Sequence, residues 1–224
     1  MTLIAALTSC SLLGLQHGID WDHVAAISDV TSVQTSARDA TRCGLLYALG
    51  HAATVGLLGV AVIALKHSLP GSLAGWMQKI VGLTLILLGA YVFGALVSGR
   101  GPMGRGQAIL AIFKRLHRHK KVGPIENRGY GAKSSLSLGV LHGIGAETPT
   151  QLSMLVIATN MGGLFNGVIG LTVFAIAMFL SNMALTTAAT SLFTVSRVRP
   201  ALFRWLGVIT AGYSLCIGIV LITS

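Results

Sequence analysis

Two histidines and two aspartates lie in one short segment, HGIDWDH at positions 17–23, inside an otherwise apolar run from Leu3 to about Val33. A charged side chain near the centre of a bilayer costs roughly 2.5–3.5 kcal/mol on insertion scales, so ionisable groups there indicate a functional site. Imidazole nitrogens and carboxylate oxygens suit divalent Ni, Co, Cu, Zn or Fe. We therefore predict that this segment binds a metal ion that crosses a membrane.

Helix geometry limits how His17 and His23 could share one ion. On a continuous α-helix the two residues lie about 120° apart around the axis and roughly 9 Å apart along it. The chain must therefore bend or unwind between them, and Gly18 supplies the backbone freedom. An unwound turn is tolerated within a membrane where it lines a polar cavity. Because imidazole must be neutral to bind metal, affinity should fall at acid pH.

The composition indicates an all-α integral membrane protein. Of 224 residues, 53% are hydrophobic and 10% are charged, against about 25% charged residues in soluble proteins. The net charge is +10, but the basic residues lie mostly between apolar segments. We interpret them as determinants of topology, with the lipid bilayer as partner and no nucleic acid.

Apolar windows of about 20 residues, long enough to cross a bilayer, recur along the chain. We place six spans near 3–31, 44–65, 76–98, 135–158, 166–193 and 201–223. Lys and Arg concentrate in the connections after the first, third and fifth spans, which the positive-inside rule assigns to the cytoplasm. We expect a multi-pass protein of the cell (inner or plasma) membrane with both termini outside.

The sequence contains an internal repeat at an offset of 125 residues (142 − 17), which aligns 13–19 with 138–144 and Asp22 with Glu147. Chance similarity of glycine-rich segments is the alternative. Halves with three spans each must be inverted, and in inverted-repeat transporters interrupted helices form a site near the midplane. We predict a 3+3 inverted repeat with the first and fourth helices interrupted. The predicted parts are a first repeat at 1–98, a basic cytoplasmic linker at 99–133 and a second repeat at 134–224.

Further polar residues within the predicted spans are candidates for the metal pathway: Asp20, Asp29, His51, His142 and Glu147. His51 could instead be a histidine that packs between helices, and Asp29 could cap the end of the first span. The linker residues His117 and His119 could sample metal or belong to a solvated, topology-setting connection. We interpret Asn182 as a hydrogen-bonding contact between helices.

The segment from His17 through Asp22 and His23 to Val24-Ala25-Ala26-Ile27 resembles the signature of the nickel/cobalt transporter (NiCoT) family, which includes the shorter urease-associated nickel permeases. The resemblance implies that His17, Asp22 and His23 are the metal-binding residues. Leu49-Gly50-His51 is similar to the family's second-span motif, and 145–148 matches a later motif loosely. The family usually has Arg and Ala where this chain has Gln16 and Gly18, and larger members have about eight spans, which leaves metal preference and energy coupling open.

We therefore predict a permease, not an enzyme, that takes up Ni(II) or Co(II) as its substrate and needs no cofactor. An exporter or a carrier of another divalent metal is the alternative, and a homo-oligomer is left open. A membrane thiol-redox carrier, an intramembrane hydrolase and a metal sensor are the rivals from other classes. The redox carrier would need paired cysteines, whereas Cys10 aligns with Ser135 in the repeat and no CxxC spacing occurs.

Overall fold

The computed structural model describes residues 2–65, 71–97, 131–145 and 149–223, which form eight α-helices. They are α1 (Leu3–His17), α2 (Trp21–Ser32), α3 (Ala37–Leu65), α4 (Gly71–Val97), α5 (Ala132–Ile144), α6 (Pro149–Thr159), α7 (Leu164–Ser196) and α8 (Pro200–Thr223). The prediction of an all-α protein is confirmed for these residues. The predicted linker lies outside them except for 131–133, and Glu147 also lies outside them.

Three of the described helices are long and apolar enough to cross a membrane, at Ala37–Ala64, Leu164–Ser196 and Ala201–Thr223. Shorter apolar helices occur at Leu3–His17, Gln78–Gly94 and Thr150–Thr159. The molecule is thus a helical multi-pass membrane protein. The count of six spans, the domain boundaries and the orientation of the termini stay predictions.

The break between α1 and α2 follows from its residues. Gly18 is the C-cap of α1, and after it the N–H groups of Ile19 and Asp20 donate to the carbonyls of Gln16 and His17, three residues before them, in a tighter turn. Asp20 then takes an extended backbone at the N-cap of α2, but its side chain makes no capping hydrogen bond there. An aspartate at this position usually accepts from the first helical N–H groups. Its carboxylate is therefore left for another partner.

Glycines let the helices approach closely in two similar pairs. Gly14 of α1 and Gly18 at its C-cap face α7, and Gly139 and Gly143 of α5 face α3. A Cβ added at Gly14 would collide with the carbonyl oxygen of Phe174, and one added at Gly139 with that of Tyr47. Small residues four apart allow such close backbone approach between membrane helices.

The helices α4 and α8 also pack through glycine, because a Cβ on Gly82 or Gly218 would lie 2.7 Å from the other's carbonyl oxygen. Two apolar clusters fill the interior. One joins residues of α2, α3, α4, α5, α7 and α8 and includes Ile27, Tyr47 and Leu85. The other joins α1, α3, α6 and α7 and includes Phe174 and Met178.

Candidate metal site

Three fully buried histidines meet where α1 ends and α2 begins. His17 is the last residue of α1, His23 lies in the first turn of α2, and His51 lies near the middle of α3. The Nε2 atom of His51 is 3.0 Å from Nε2 of His23 and 3.4 Å from Nε2 of His17. One nitrogen from each ring lies within 4.8 Å of the others. Among the described residues, these three form the group whose ligand atoms converge on one point.

The spacing of these nitrogens suits a bound transition-metal ion. Nitrogen ligands at about 2.0–2.1 Å from an ion, with bond angles of about 90–110°, lie roughly 2.9–3.4 Å from one another. The two nitrogen pairs anchored on His51 fall in that range. The centroids of the His17 and His23 rings lie 4.9 Å apart. They can come this close because α1 ends at His17 and α2 begins at Trp21, so the two residues are not on one continuous helix.

Carboxylates hold the outer nitrogens of two of the rings. The Nδ1 atom of His17 is 3.1 Å from Asp20 Oδ2, and Nδ1 of His23 is 3.1 Å from Asp22 Oδ1. Since an ionised carboxylate only accepts hydrogen bonds, each Nδ1 carries the proton and donates it. Each Nε2 then presents a lone pair to the cluster. A carboxylate behind the ring is the usual arrangement that orients a metal-binding histidine and raises its basicity.

Thr150, in the first turn of α6, completes the support of His17. Its hydroxyl donates to Asp20 Oδ2 at 3.0 Å, and its Oγ1 lies 3.0 Å from Nδ1 of His17. Sequence reasoning missed this residue, because a threonine in an apolar segment carries no pattern that separates it from the many that bond their own helix. The predicted repeat, which places the segment of α6 after the residue aligned with His17, was the available signal.

The remaining predicted residues lie outside the group of three histidines, although His142 is close enough to interact electrostatically with Asp22, His23 and His51. Asp29 is buried and accepts a hydrogen bond from the Ser214 hydroxyl of α8 at 2.9 Å. His142 is buried at the end of α5 with its ring 5.6 Å from that of Tyr47. Neither ring nitrogen of His142 bonds to another side chain among the described residues. The prediction for Glu147 falls outside the described residues.

A cavity of about 390 Å³ adjoins the site on its carboxylate side. Its lining includes Gln16, Asp20, Asp22 and Thr150 at the site, together with Gln78 of α4 and Leu221 of α8. The side chains of Asp20 and Asp22 are 20% and 14% exposed, whereas those of His17 and His23 are 0% exposed. A cation in this cavity would therefore meet the two carboxylates before it reached the histidine nitrogens.

The fold and the site together define a class, namely a helical membrane protein with a buried cluster of imidazoles next to a carboxylate-lined cavity. The sequence profile of one family, the cytochrome C biogenesis protein transmembrane region, matches residues 23–216. The chain belongs to that family.

Three relatives illustrate the similarity. The urease accessory protein UreH of Bacillus sp. (strain TB-90) is 22% identical over 87% of this chain and 80% of its own length. A candidate nickel/cobalt efflux system of Methanocaldococcus jannaschii is 26% identical over 84% of this chain and 77% of its own. The nickel transporter NixA of Staphylococcus aureus is 27% identical over 77% of this chain and 56% of its own. No solved structure matches.

These matches confirm the resemblance to the nickel/cobalt transporters that the segment from His17 to Ile27 indicated. Several of the relatives are named as nickel transport proteins or as a nickel/cobalt efflux system. Their names include both transport and efflux systems, so the relationship by itself gives no direction of transport.

Proposed function

We propose that this protein is a permease that carries Ni(II) or Co(II) into the cell, and that His17, His23 and His51 hold the ion in transit. The convergence of the three Nε2 atoms carries this proposal. The metal is the transported substrate, and no cofactor is needed.

In this proposal the two carboxylates act through the rings they orient. Asp20 and Asp22 accept from the Nδ1 atoms of His17 and His23 and so aim both Nε2 lone pairs inward. Their two negative charges also offset the charge of a divalent cation, which would otherwise be costly to bury. The family resemblance implies Asp22 as a direct ligand, and that prediction stays untested. Here we assign it to the position behind His23.

We also propose that the chain is a 3+3 inverted repeat of six spans, with α1 and α2 forming one interrupted span and α5 and α6 another. The similar glycine contacts of Gly14 and Gly18 on α7, and of Gly139 and Gly143 on α3, support this arrangement. The predicted parts at 1–98, 99–133 and 134–224 and the external termini belong to the same proposal. The cavity beside Asp20 and Asp22 would then be the entrance.

Export of the same metals is the main alternative for direction, because one relative is named as a candidate efflux system. A thiol-redox carrier is the alternative of a different class. It would need a pair of cysteines that can form a disulfide, whereas Cys10, Cys43 and Cys216 lie on three different helices. The histidine cluster would also have no purpose in that chemistry.

Flux measured in proteoliposomes tests the proposal. Radiolabelled Ni(II) uptake is compared for the wild type, His17→Ala and a variant with all three cysteines replaced by alanine. We expect saturable uptake in the wild type and the cysteine-free variant, and uptake at the level of empty liposomes in His17→Ala. Equal flux in wild type and His17→Ala would contradict the site, and loss of activity only in the cysteine-free variant would favour the redox carrier.

A further inference from the structure

Every fourth residue along one ridge of α7 is buried: Phe174, Met178, Asn182, Thr186 and Thr190. Residues four apart on an α-helix form a ridge that packs against neighbouring helices. The first two side chains of this ridge are apolar and the last three are polar. The change occurs just beyond the level of the metal site, because the Phe174 ring lies 5.4 Å from that of His17.

The three polar side chains have no hydrogen-bond partners among the described residues. Both amide atoms of Asn182 and the hydroxyl oxygens of Thr186 and Thr190 are buried and unpaired. Leaving such a group unpaired in the interior costs about 1–3 kcal/mol. Unpaired buried polar atoms are rare and indicate a role, such as contact with water or an ion.

Two other threonines of α7 show that a hydroxyl on this helix can donate to a backbone carbonyl of the same helix. Thr172 donates to the carbonyl of Val168, and Thr187 donates to that of Met183, each at 2.8 Å. Both of these residues are exposed on the outside of the helix bundle. Thr186 and Thr190 could use the same local bond, but they keep their hydroxyls within the interior.

The polar ridge runs away from the cavity. It faces α3, since a Cβ added at Gly44 would collide with the Thr186 side chain. It leads toward the end of α7, where the Arg197 guanidinium donates to the carbonyls of Gln34 and Thr35. The helix α8 begins there at Pro200 and ends beside the cavity. Cavity and ridge therefore approach the histidines from opposite ends of the bundle.

We propose that Asn182, Thr186 and Thr190 form the second half of the ion path, which takes a partly hydrated divalent cation from the histidines to the end of the bundle where α7 ends. This inference rests on the proposed function. The three residues cover about 12 Å along the helix axis. Neutral amide and hydroxyl oxygens replace lost water without trapping the ion as carboxylates would. The interpretation of Asn182 as a contact between helices would require a partner on another helix.

A pair of isosteric changes tests the path in the full-length protein. In Thr186→Val with Thr190→Val we expect Ni(II) flux in proteoliposomes to fall by about tenfold or more, because the loss of two hydroxyls raises the barrier for a desolvated ion. Ni(II) affinity measured by equilibrium dialysis should stay within about twofold, because the histidines are intact. Thermal stability should be equal or higher, since unpaired buried hydroxyls have been removed.

Two controls separate this path from a packing effect. Thr172→Val with Thr187→Val makes the same chemical change on the exposed face and should leave flux unchanged. Thr186→Ser with Thr190→Ser retains both hydroxyls and should retain most of the flux.

Wild-type flux in the Thr186→Val and Thr190→Val double variant would overturn the inference. It would also be overturned if the valine pair and the serine pair both lost thermal stability, because a loss of flux would then reflect disturbed packing. If His17→Ala abolishes flux while the valine pair does not change it, only the path is wrong. If the wild type itself carries no Ni(II) or Co(II), the proposed function fails with it.

Discussion

The end of α1 and the end of α5 share their packing but differ in their chemistry. At both places a pair of glycines four residues apart lies against the backbone of a long helix, with Gly14 and Gly18 on α7 and Gly139 and Gly143 on α3. Each pair flanks a buried histidine, His17 or His142. The backbone approach is thus the same in the two regions.

The polar surroundings of the two histidines are not the same. His17 contacts Asp20 and Thr150, and its inner nitrogen faces His51. His142 has no carboxylate or hydroxyl partner among the described residues and lies against the Tyr47 ring. The comparison teaches that helix packing and polar surroundings are separable in this fold, because among the described residues carboxylate and hydroxyl partners surround His17 and not His142, although the two helix ends pack alike.

The largest expected effect tests that difference directly. Replacement of His23 by alanine removes one of the three converging nitrogens and should reduce Ni(II) or Co(II) flux by about 100-fold or more, in line with the loss of several kcal/mol of ion binding. His142→Ala is the matched control, because it removes an equally buried imidazole, and it should retain flux within about fivefold. If His23→Ala and His142→Ala lost similar amounts of flux in the same type of proteoliposome, the proposed difference between the two regions would be contradicted.

The next effect concerns the two carboxylates that contact the rings of the first region, Asp20 and Asp22. Asp22→Asn keeps the shape of the side chain but weakens its hold on Nδ1 of His23, and it should lower metal affinity by about 10–100-fold. Asp29→Asn, which alters a carboxylate bonded to Ser214 instead, should change affinity much less. Equilibrium dialysis with Ni(II) measures both. An Asp29→Asn variant as weak as Asp22→Asn would show that charge alone, and not contact with His23, decides affinity.

The shared packing gives a third prediction, in which the two regions should respond alike. A methyl group at Gly14 or Gly139 collides with a backbone carbonyl oxygen, and each alanine variant should lose about 1–3 kcal/mol of stability. Gly56→Ala, where nothing lies within 4 Å, is the control. Thermal unfolding in detergent measures the three variants. Tolerance of Gly139→Ala together with unfolding of Gly14→Ala would show that the regions also differ in packing.

The smallest expected effect lies at Thr150, the residue through which α6 supports the first region. Thr150→Val removes a hydroxyl that bonds to Asp20 and lies against His17. Loss of one such hydrogen bond of about 1 kcal/mol should weaken Ni(II) binding by about fivefold. Thr159→Val, whose hydroxyl donates to Leu155 within its own helix, is the control. Unchanged affinity in Thr150→Val would remove α6 from the site.

Much of the site could be predicted from the sequence. Ionisable residues in an apolar run identified His17, Asp20, Asp22 and His23, and helix geometry required a break between the two histidines. Depth within the second apolar window brought in His51, although packing between helices remained the alternative explanation. The convergence of the three histidines depends on how α3 packs beside the break between α1 and α2. That packing depends on glycine contacts, which the hydrophobic periodicity of the sequence does not reveal.

The long helices were also predictable, because long apolar windows produce them directly. The windows predicted near 3–31 and 135–158 each coincide with two consecutive helices, α1 with α2 and α5 with α6. The role of Thr150 and the unpaired state of Thr186 and Thr190 could not be read from sequence. Threonine serves equally as a helix-bonded, a packing and a ligand-facing residue, and only its surroundings decide among these.

The coordination of the bound ion tests the central claim most directly. X-ray absorption at the nickel edge, recorded on the purified protein loaded with one equivalent of Ni(II), gives the number and kind of atoms bound to the metal. We expect three imidazoles in the wild type and in His142→Ala, and two in His51→Ala. Sulfur bound to nickel, or the same number of imidazoles in His51→Ala as in the wild type, would contradict a site formed by His17, His23 and His51.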